Sequence, residues 1–270
     1  MKRITKEEMA RYIALTCIKG LGPVGQNCLL DVCKNIDGCF NMAESELTER
    51  CRRVPGSSRY MQALLRERDN PELINKADCI MNDSTRESIA IITRADERYP
   101  VRFKSLTDMP VVLYVKGKLM INQYENSVGI VGARRCSRDA REKTIKLARQ
   151  CALERTAIIS GMAKGVDSYA HTAALKNKGY TIAVLGSGPD ICYPSEHYSL
   201  YQALVSHGCI LSEYPPGTVP KGFRFPVRNR IIAGLSDQLW VIGAGRSSGT
   251  QTTVEACQKY GHRATYISGL

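Results

Sequence analysis

Two kinds of segment are absent from this chain. No apolar run approaches the roughly 20 residues that a membrane-spanning helix needs, and the amino-terminal Met1-Lys2-Arg3-Ile4-Thr5-Lys6-Glu7-Glu8 lacks the apolar core of a signal peptide. A cytoplasmic protein without a membrane span is the expectation. Metal and disulfide spacings are absent as well. The chain has eleven cysteines, yet the nearest pairs, Cys28/Cys33 and Cys33/Cys39, are not C-x-x-C, and its only histidines are His171, His197, His207 and His262. This pattern predicts reduced, mostly buried thiols and no metal site. There is no Walker lysine motif and no recognisable Ser/His/Asp or Cys/His grouping. Gly186-Ser187-Gly188 falls short of a dinucleotide fingerprint, because Pro189-Asp190 and a late helix break the strand-turn-helix spacing. No cofactor and no catalytic residue are nominated.

Acids are also scarce. Lys+Arg number 38 against 26 Asp+Glu, a net charge of +12 and a pI near 9.2. That balance favours a polyanionic partner, nucleic acid first and an anionic membrane surface second. The rest of the composition, 43% apolar and 24% charged over 270 residues, is that of an ordinary globular protein with a sizeable core. It shows no internal repeat and no low-complexity tract.

The first 80 or so residues carry apolar positions at helical spacing, as in Glu7 to Ile18 and Gly25 to Lys34. The intervening Ile18-Lys19-Gly20-Leu21-Gly22-Pro23-Val24-Gly25 resembles the turn of a helix-hairpin-helix, whose glycines let backbone N–H groups approach a DNA phosphate. A plain turn between two helices explains the same residues. Arg50, Arg52, Arg53, Arg59, Arg66 and Arg68 read as a solvated face. The polar run Asn82-Asp83-Ser84-Thr85-Arg86-Glu87-Ser88 marks a boundary. It divides a helical domain over residues 1–82, helix-hairpin-helix or SAM-like, from a second domain over residues 88–270.

From Ile89 onward short apolar strands alternate with amphipathic helices. The pattern predicts an α/β fold with a doubly wound, mostly parallel, Rossmann-like sheet. In such sheets ligands bind beyond the carboxyl ends of the strands. The loops there would bring Arg134, Arg135, Lys164, Arg228, Arg230 and Arg246 to one edge, the footprint of a phosphate-binding surface. Structural readings stand beside this one. The loop glycines permit tight turns, Ser137 and Asp167 suit helix N-caps, and His171 suits packing. Tyr193, Tyr214, Phe223 and Phe225 suit either the core or the stacking of unpaired bases.

One stretch gathers most of this: Phe225-Pro226-Val227-Arg228-Asn229-Arg230-Ile231-Ile232-Ala233-Gly234-Leu235-Ser236. It reads as a basic, proline-led turn entering a helix near Arg228. Arg228 and Arg230 then sit in a first turn, where unpaired N–H groups favour acids. With Lys221 and Arg224 just upstream, they call for an anion, and phosphate suits both helix terminus and side chains. A solvated basic loop is the alternative.

That stretch, with Ile130-Val131-Gly132-Ala133-Arg134, Ser160-Gly161-Met162-Ala163-Lys164-Gly165-Val166-Asp167-Ser168-Tyr169-Ala170-His171, Ala183-Val184-Leu185-Gly186-Ser187-Gly188 with Tyr193-Pro194, and Leu211-Ser212-Glu213-Tyr214-Pro215, resembles the DNA-processing protein A (DprA, or Smf) family. The resemblance covers about residues 88 to 260, and the helical part is similar to that family's small leading domain. It implies a non-enzymatic single-stranded-DNA-binding protein that protects incoming strands in natural transformation and helps load the recombinase RecA, usually as a homodimer. It also implies a phosphate-binding turn on Gly132, Ala133 and Arg134, extended to Ser137, a DNA-contacting Lys164, and a basic pocket on Phe225, Arg228, Asn229 and Arg230. The chain departs from the family pattern in three places. Ala133 replaces the usual Ser, Gly243-Ala244-Gly245 stands where Glu-Ala is common, and the sequence stops at Ser268-Gly269-Leu270, where relatives usually continue. These bear on recombinase loading more than on DNA binding.

The rival from another class is a phosphoribohydrolase of nucleoside monophosphates, whose Gly-Thr turn is followed by a glutamate three residues on. Here Glu255 comes five after Thr250, about 200° further round a helix than the family position would be from its threonine's face, so it turns away from the same pocket. A nucleotide-sensing module that binds without cleaving is the third reading.

Overall fold

The computed structural model describes residues 4–244 and 249–267. Six helices open the chain: α1 (Lys6–Cys17), α2 (Pro23–Cys33), α3 (Ile36–Asn41), α4 (Glu44–Arg52), α5 (Ser58–Glu67) and α6 (Pro71–Arg86). Local sequence starts them. Thr5 and Glu8 form a reciprocal capping box on α1, and Pro23 and Pro71 occupy the first helical positions of α2 and α6, where no N–H is needed. The Gly20-to-Gly25 turn joins α1 to α2. The polar run 82–88, read as a boundary, forms the last turn of α6 and the turn that follows, where Ser88, at φ 55°, leads the chain into the sheet.

The sheet strands are β1 (Ala90–Thr93), β2 (Val112–Gly117), β3 (Ser127–Gly132), β4 (Ala157–Ser160), β5 (Thr181–Leu185), β6 (Cys209–Ser212), β7 (Gln238–Ile242) and β8 (Arg263–Ile267). They lie in the order β1-β2-β6-β5-β4-β3-β7-β8. β1 and β2 are antiparallel additions on the β6 side, and the remaining six strands are parallel. The connecting helices are α7 (Arg138–Leu153), α8 (Val166–Lys176), α9 (Tyr198–His207), α10 (Arg224–Leu235) and α11 (Gln251–Lys259). Successive strand residues point to opposite faces. Val128 and Ile130 therefore pack with Ala140, Ala148 and Ala170 of α7 and α8, while Val131 packs with Ile231 and Ile232 of α10.

The fold is thus the doubly wound, mostly parallel sheet that the alternating pattern predicts. The helical part packs onto it: Ile89, Ile91, Val112 and Tyr114 share a core with α1, α2 and α6. The cysteines are free thiols. No helix among the described residues is long and apolar enough to cross a membrane.

Candidate nucleic-acid interface

From β3 the chain builds the sheet through β4, β5 and β6 on one side, then crosses to add β7 and β8 on the other. The switch point lies between β3 and β7, where crossovers leave in opposite directions and the strand ends part. A cleft of ≈ 660 Å³ opens there. Its walls come from the β3 turn, from α8, α10 and α11, and from Tyr193.

The β3 turn, Gly132-Ala133-Arg134, is fixed from two sides. The Ala133 amide donates to the Ile242 carbonyl at the end of β7 (3.2 Å), and the Ala133 carbonyl accepts from the Val166 amide at the start of α8 (3.2 Å). Gly165 makes the second contact feasible: at φ +78°, a Cβ there would fall 2.2 Å from the Ala133 oxygen. This anchoring leaves Arg134 exposed at the mouth of the cleft, with no ion pair among the described residues.

Helix α10 begins four residues earlier than the sequence pattern predicts, at Arg224, because Pro226 sits within the first turn, where proline is tolerated. Arg228 is therefore a turn inside the helix, and it does not wait for an external anion. Only 5% exposed, it donates to the carbonyls of Gly161 (3.0 Å) and Val184 at the ends of β4 and β5. Burial pushes its guanidinium down to about 10, against the pull of Asp167. Asp167, in the first turn of α8, caps the preceding loop instead of the helix: its carboxylate accepts the amides of Gly161 and Ala163 at 3.2 Å each. Burial, only partly offset by Arg228, raises its carboxyl. Gly161 makes room for both, since a Cβ there would lie 2.7 Å from Arg228 Nη2 and 2.8 Å from Asp167 Oδ2.

Asn229 links α10 to α11, donating to Thr252 Oγ1 (2.8 Å) while its oxygen accepts from Arg228 Nε (3.2 Å). Phe225 stacks on Tyr193, ring centroids 5.4 Å apart. Tyr193 and Phe223 are 47% and 66% exposed, an aromatic wall open to solvent. Arg224 lies over the rings of Tyr214 and Phe223 and donates to the Val219 carbonyl.

Of the residues nominated from sequence, the fold brings Gly132, Ala133, Arg134, Phe225, Arg228 and Asn229 to this one cleft. Three do not line it. Ser137 caps α7, accepting the Ala140 amide at 3.2 Å. Lys164 pairs with Glu196 at 2.6 Å, both half exposed. Arg230 turns away into a two-pronged ion pair with Glu213 (2.7 and 2.6 Å). Arg135 is exposed outside the cleft lining, and Arg246 lies outside the described residues. The anion argument for Arg228 and Arg230 is thus corrected: carbonyl and carboxylate partners from loops distant in sequence satisfy them.

Other sequence readings find their places too. His171 is fully buried with Nδ1 2.7 Å from Thr181 Oγ1. The Thr181 hydroxyl donates to Ile158, so His171 Nδ1 carries the proton. Burial pushes this imidazole down to about 3, which keeps it neutral. Glu255 is exposed and accepts from Gln251 (3.3 Å), away from the cleft. The residues that sequence reasoning missed are Thr250 and Thr253, which line the cleft from the start of α11. The first turns of α8, α10 and α11 therefore all border it with the partial positive charge of their ends, although the leading amides of α8 and α10 are already paired, Val166 with the Ala133 carbonyl, Arg224 with Lys221 and Phe225 with Gly222. Among the described residues no group of three or more His, Cys, Asp or Glu is placed to hold a metal.

The sequence model of the DNA recombination-mediator protein A family matches residues 90–269. The chain is 40% identical over 174 residues to DNA processing protein DprA of Streptococcus pneumoniae, covering 64% of this chain and 61% of that protein. It is 31% identical over 261 residues to Protein Smf of Synechocystis, covering 95% and 64%. The matched part thus spans about three fifths of these curated relatives (61% and 64%). Among solved structures, DprA from S. pneumoniae superposes with a TM-score of 0.77 at 30% identity, covering 100% of this chain and 88% of that one. DNA processing protein A from Helicobacter pylori, solved for its single-stranded DNA binding mode, superposes at 0.62 and 30% identity, covering 67% and 81%.

Proposed function

The chain belongs to the DNA recombination-mediator protein A family, and on that premise we propose that it binds single-stranded DNA in the cleft between β3 and β7. The observation that carries this reading is the pairing, within one cleft, of an unpaired cation with an aromatic wall. Arg134 and the positive helix ends suit the phosphates, and Tyr193 and Phe225 in the cleft lining, with the exposed Phe223 just outside it, suit bases that have no partner strand. Duplex DNA hides those bases. Gly132, Ala133, Arg134, Phe225 and Asn229 are the contact residues in this reading, and Arg228 shapes the cleft floor from beneath. Lys164 and Ser137 join them only at the rim.

We extend the proposal to the wider role that the family resemblance implies: protection of incoming strands in transformation, RecA as the partner helped onto DNA, and a cytoplasmic homodimer as the working form. The helical part over residues 1–82 and the sheet part from residue 88 act as two domains of one binding protein. Glu255 is exposed outside the cleft lining, and Asp167, which does line it, is engaged by the Gly161 and Ala163 amides, which favours binding without cleavage.

The test compares a fluorescein-labelled single strand, the same strand annealed to its complement, and an abasic strand of equal length by anisotropy. The single strand binds tightest, and loss of its bases weakens it by about 1 kcal/mol or more for each stacked base. Equal binding of all three would remove the stacking wall from the account.

A further inference from the structure

The segment Thr107-Asp108-Met109 runs between the helical part and the cleft, and it is gripped from both. From one side the Asn27 amide of α2, 5% exposed, donates to the Thr107 carbonyl (3.2 Å) and the Met109 carbonyl (2.7 Å). From the other, Arg230 of α10 donates Nε to the Asp108 carbonyl (2.9 Å) while Glu213 holds its outer nitrogens. The Asp108 carboxylate accepts from Lys259 (2.7 Å) and Tyr260 (2.9 Å) at the end of α11. Met109 closes the contact against α10, where a Cβ on Gly234 would fall 2.9 Å from its Cε.

We propose that this strap seats α10 and α11 at the cleft, so that Asn27, Asp108 and Arg230 are positioning residues for polynucleotide binding rather than contacts to it. The inference rests on the binding reading above, since α10 and α11 carry Phe225, Asn229, Thr250 and Thr253 into the cleft. It extends that reading by giving the helical part a mechanical share in binding through Asn27. It also accounts for an arginine in the signature stretch that faces a carboxylate instead of the cleft.

Charge supplies a sign test. Removing an acid from a protein that binds a polyanion raises affinity if electrostatics alone decides. Asp108→Ala removes an acid and unseats the end of α11, while the main-chain carbonyl that Arg230 holds is kept. Positioning predicts that it binds a labelled single-stranded oligonucleotide about three- to tenfold more weakly than wild type, and that Asn27→Ala loses about threefold. In both, the slope of log affinity against log salt stays unchanged, because no phosphate contact is lost. Asp108→Asn, which keeps an acceptor for Tyr260, stays within about twofold of wild type. Asp108→Ala binding as tightly as wild type, or more tightly, overturns the proposal.

Thermal unfolding of each variant guards against simple loss of fold. Should the wild-type chain itself fail to bind, the binding reading fails separately. Amide hydrogen exchange over α11, residues 251–260, then decides the strap: faster exchange in Asp108→Ala supports it, and unchanged exchange overturns it.

Discussion

At the scale of single residues, the signature arginines divide by partner. Arg134 is exposed and unpaired among the described residues, whereas Arg228 is buried on two carbonyls and Arg230 on a carboxylate. Substitution should separate them. Arg228→Ala leaves the Gly161 and Val184 carbonyls without a donor and Asp167 without its nearest cation, and chemical denaturation should show a loss of about 3 kcal/mol. Gly161→Ala forces a methyl to within 2.7 Å of Arg228 Nη2, an overpacked site that costs about 1–3 kcal/mol in the same assay. Arg134→Ala leaves stability within about 0.5 kcal/mol of wild type, because nothing folded leans on it. That arginines and strand-end glycines gather at one sheet edge was legible in the sequence from the alternating pattern. Their partners were not: Gly161, Val184 and Glu213 lie 17 to 67 residues from the arginines they satisfy, and only the folded sheet brings them together.

At the scale of elements, periodicity located the strands of the parallel sheet and most helices, because buried strands flanked by turn residues leave a plain signal. It misplaced the start of α10. A proline followed by two arginines reads as a turn, yet proline at the third helical position needs no donor and fits the first turn. The error mattered, for it put Arg228 at a helix terminus and gave it an anion to find. The strap at 107–109 was legible only as a loop, since its hydrogen bonds reach residues 80 to 152 positions away. Its ion pair gives a pH prediction. Burial raises the Asp108 carboxyl, but the Lys259 and Tyr260 hydrogen bonds outweigh it and hold the group below its ordinary value of 3.8. A depressed carboxyl contributes stability above that ordinary value and loses it as pH falls through the folded-state value. Urea unfolding of wild type and Asp108→Ala should therefore differ at pH 7 and converge as the pH falls below 3.8 through the depressed folded-state value.

At the scale of the whole molecule, the net charge of +12 suits the polyanionic partner proposed above. The sheet gathers helix N-termini and an exposed arginine at the switch point, and on the proposed reading the surplus basic charge elsewhere would steer a polyanion toward it. Charge excess and fold class were both legible in the sequence. The difference between the exposed Arg134 and the buried Arg228 required the packed structure. The central claim is that the β3–β7 cleft is where the nucleic acid backbone is held, with Arg134 as a contact. Its most direct measurement is the salt dependence of single-strand binding by wild type and Arg134→Ala, followed by anisotropy over a range of ionic strength. The account predicts a steep fall in wild-type affinity with salt and a slope shallower by about 0.7 in the variant, one phosphate contact fewer. A wild-type affinity indifferent to salt, or a variant slope equal to wild type, would contradict it.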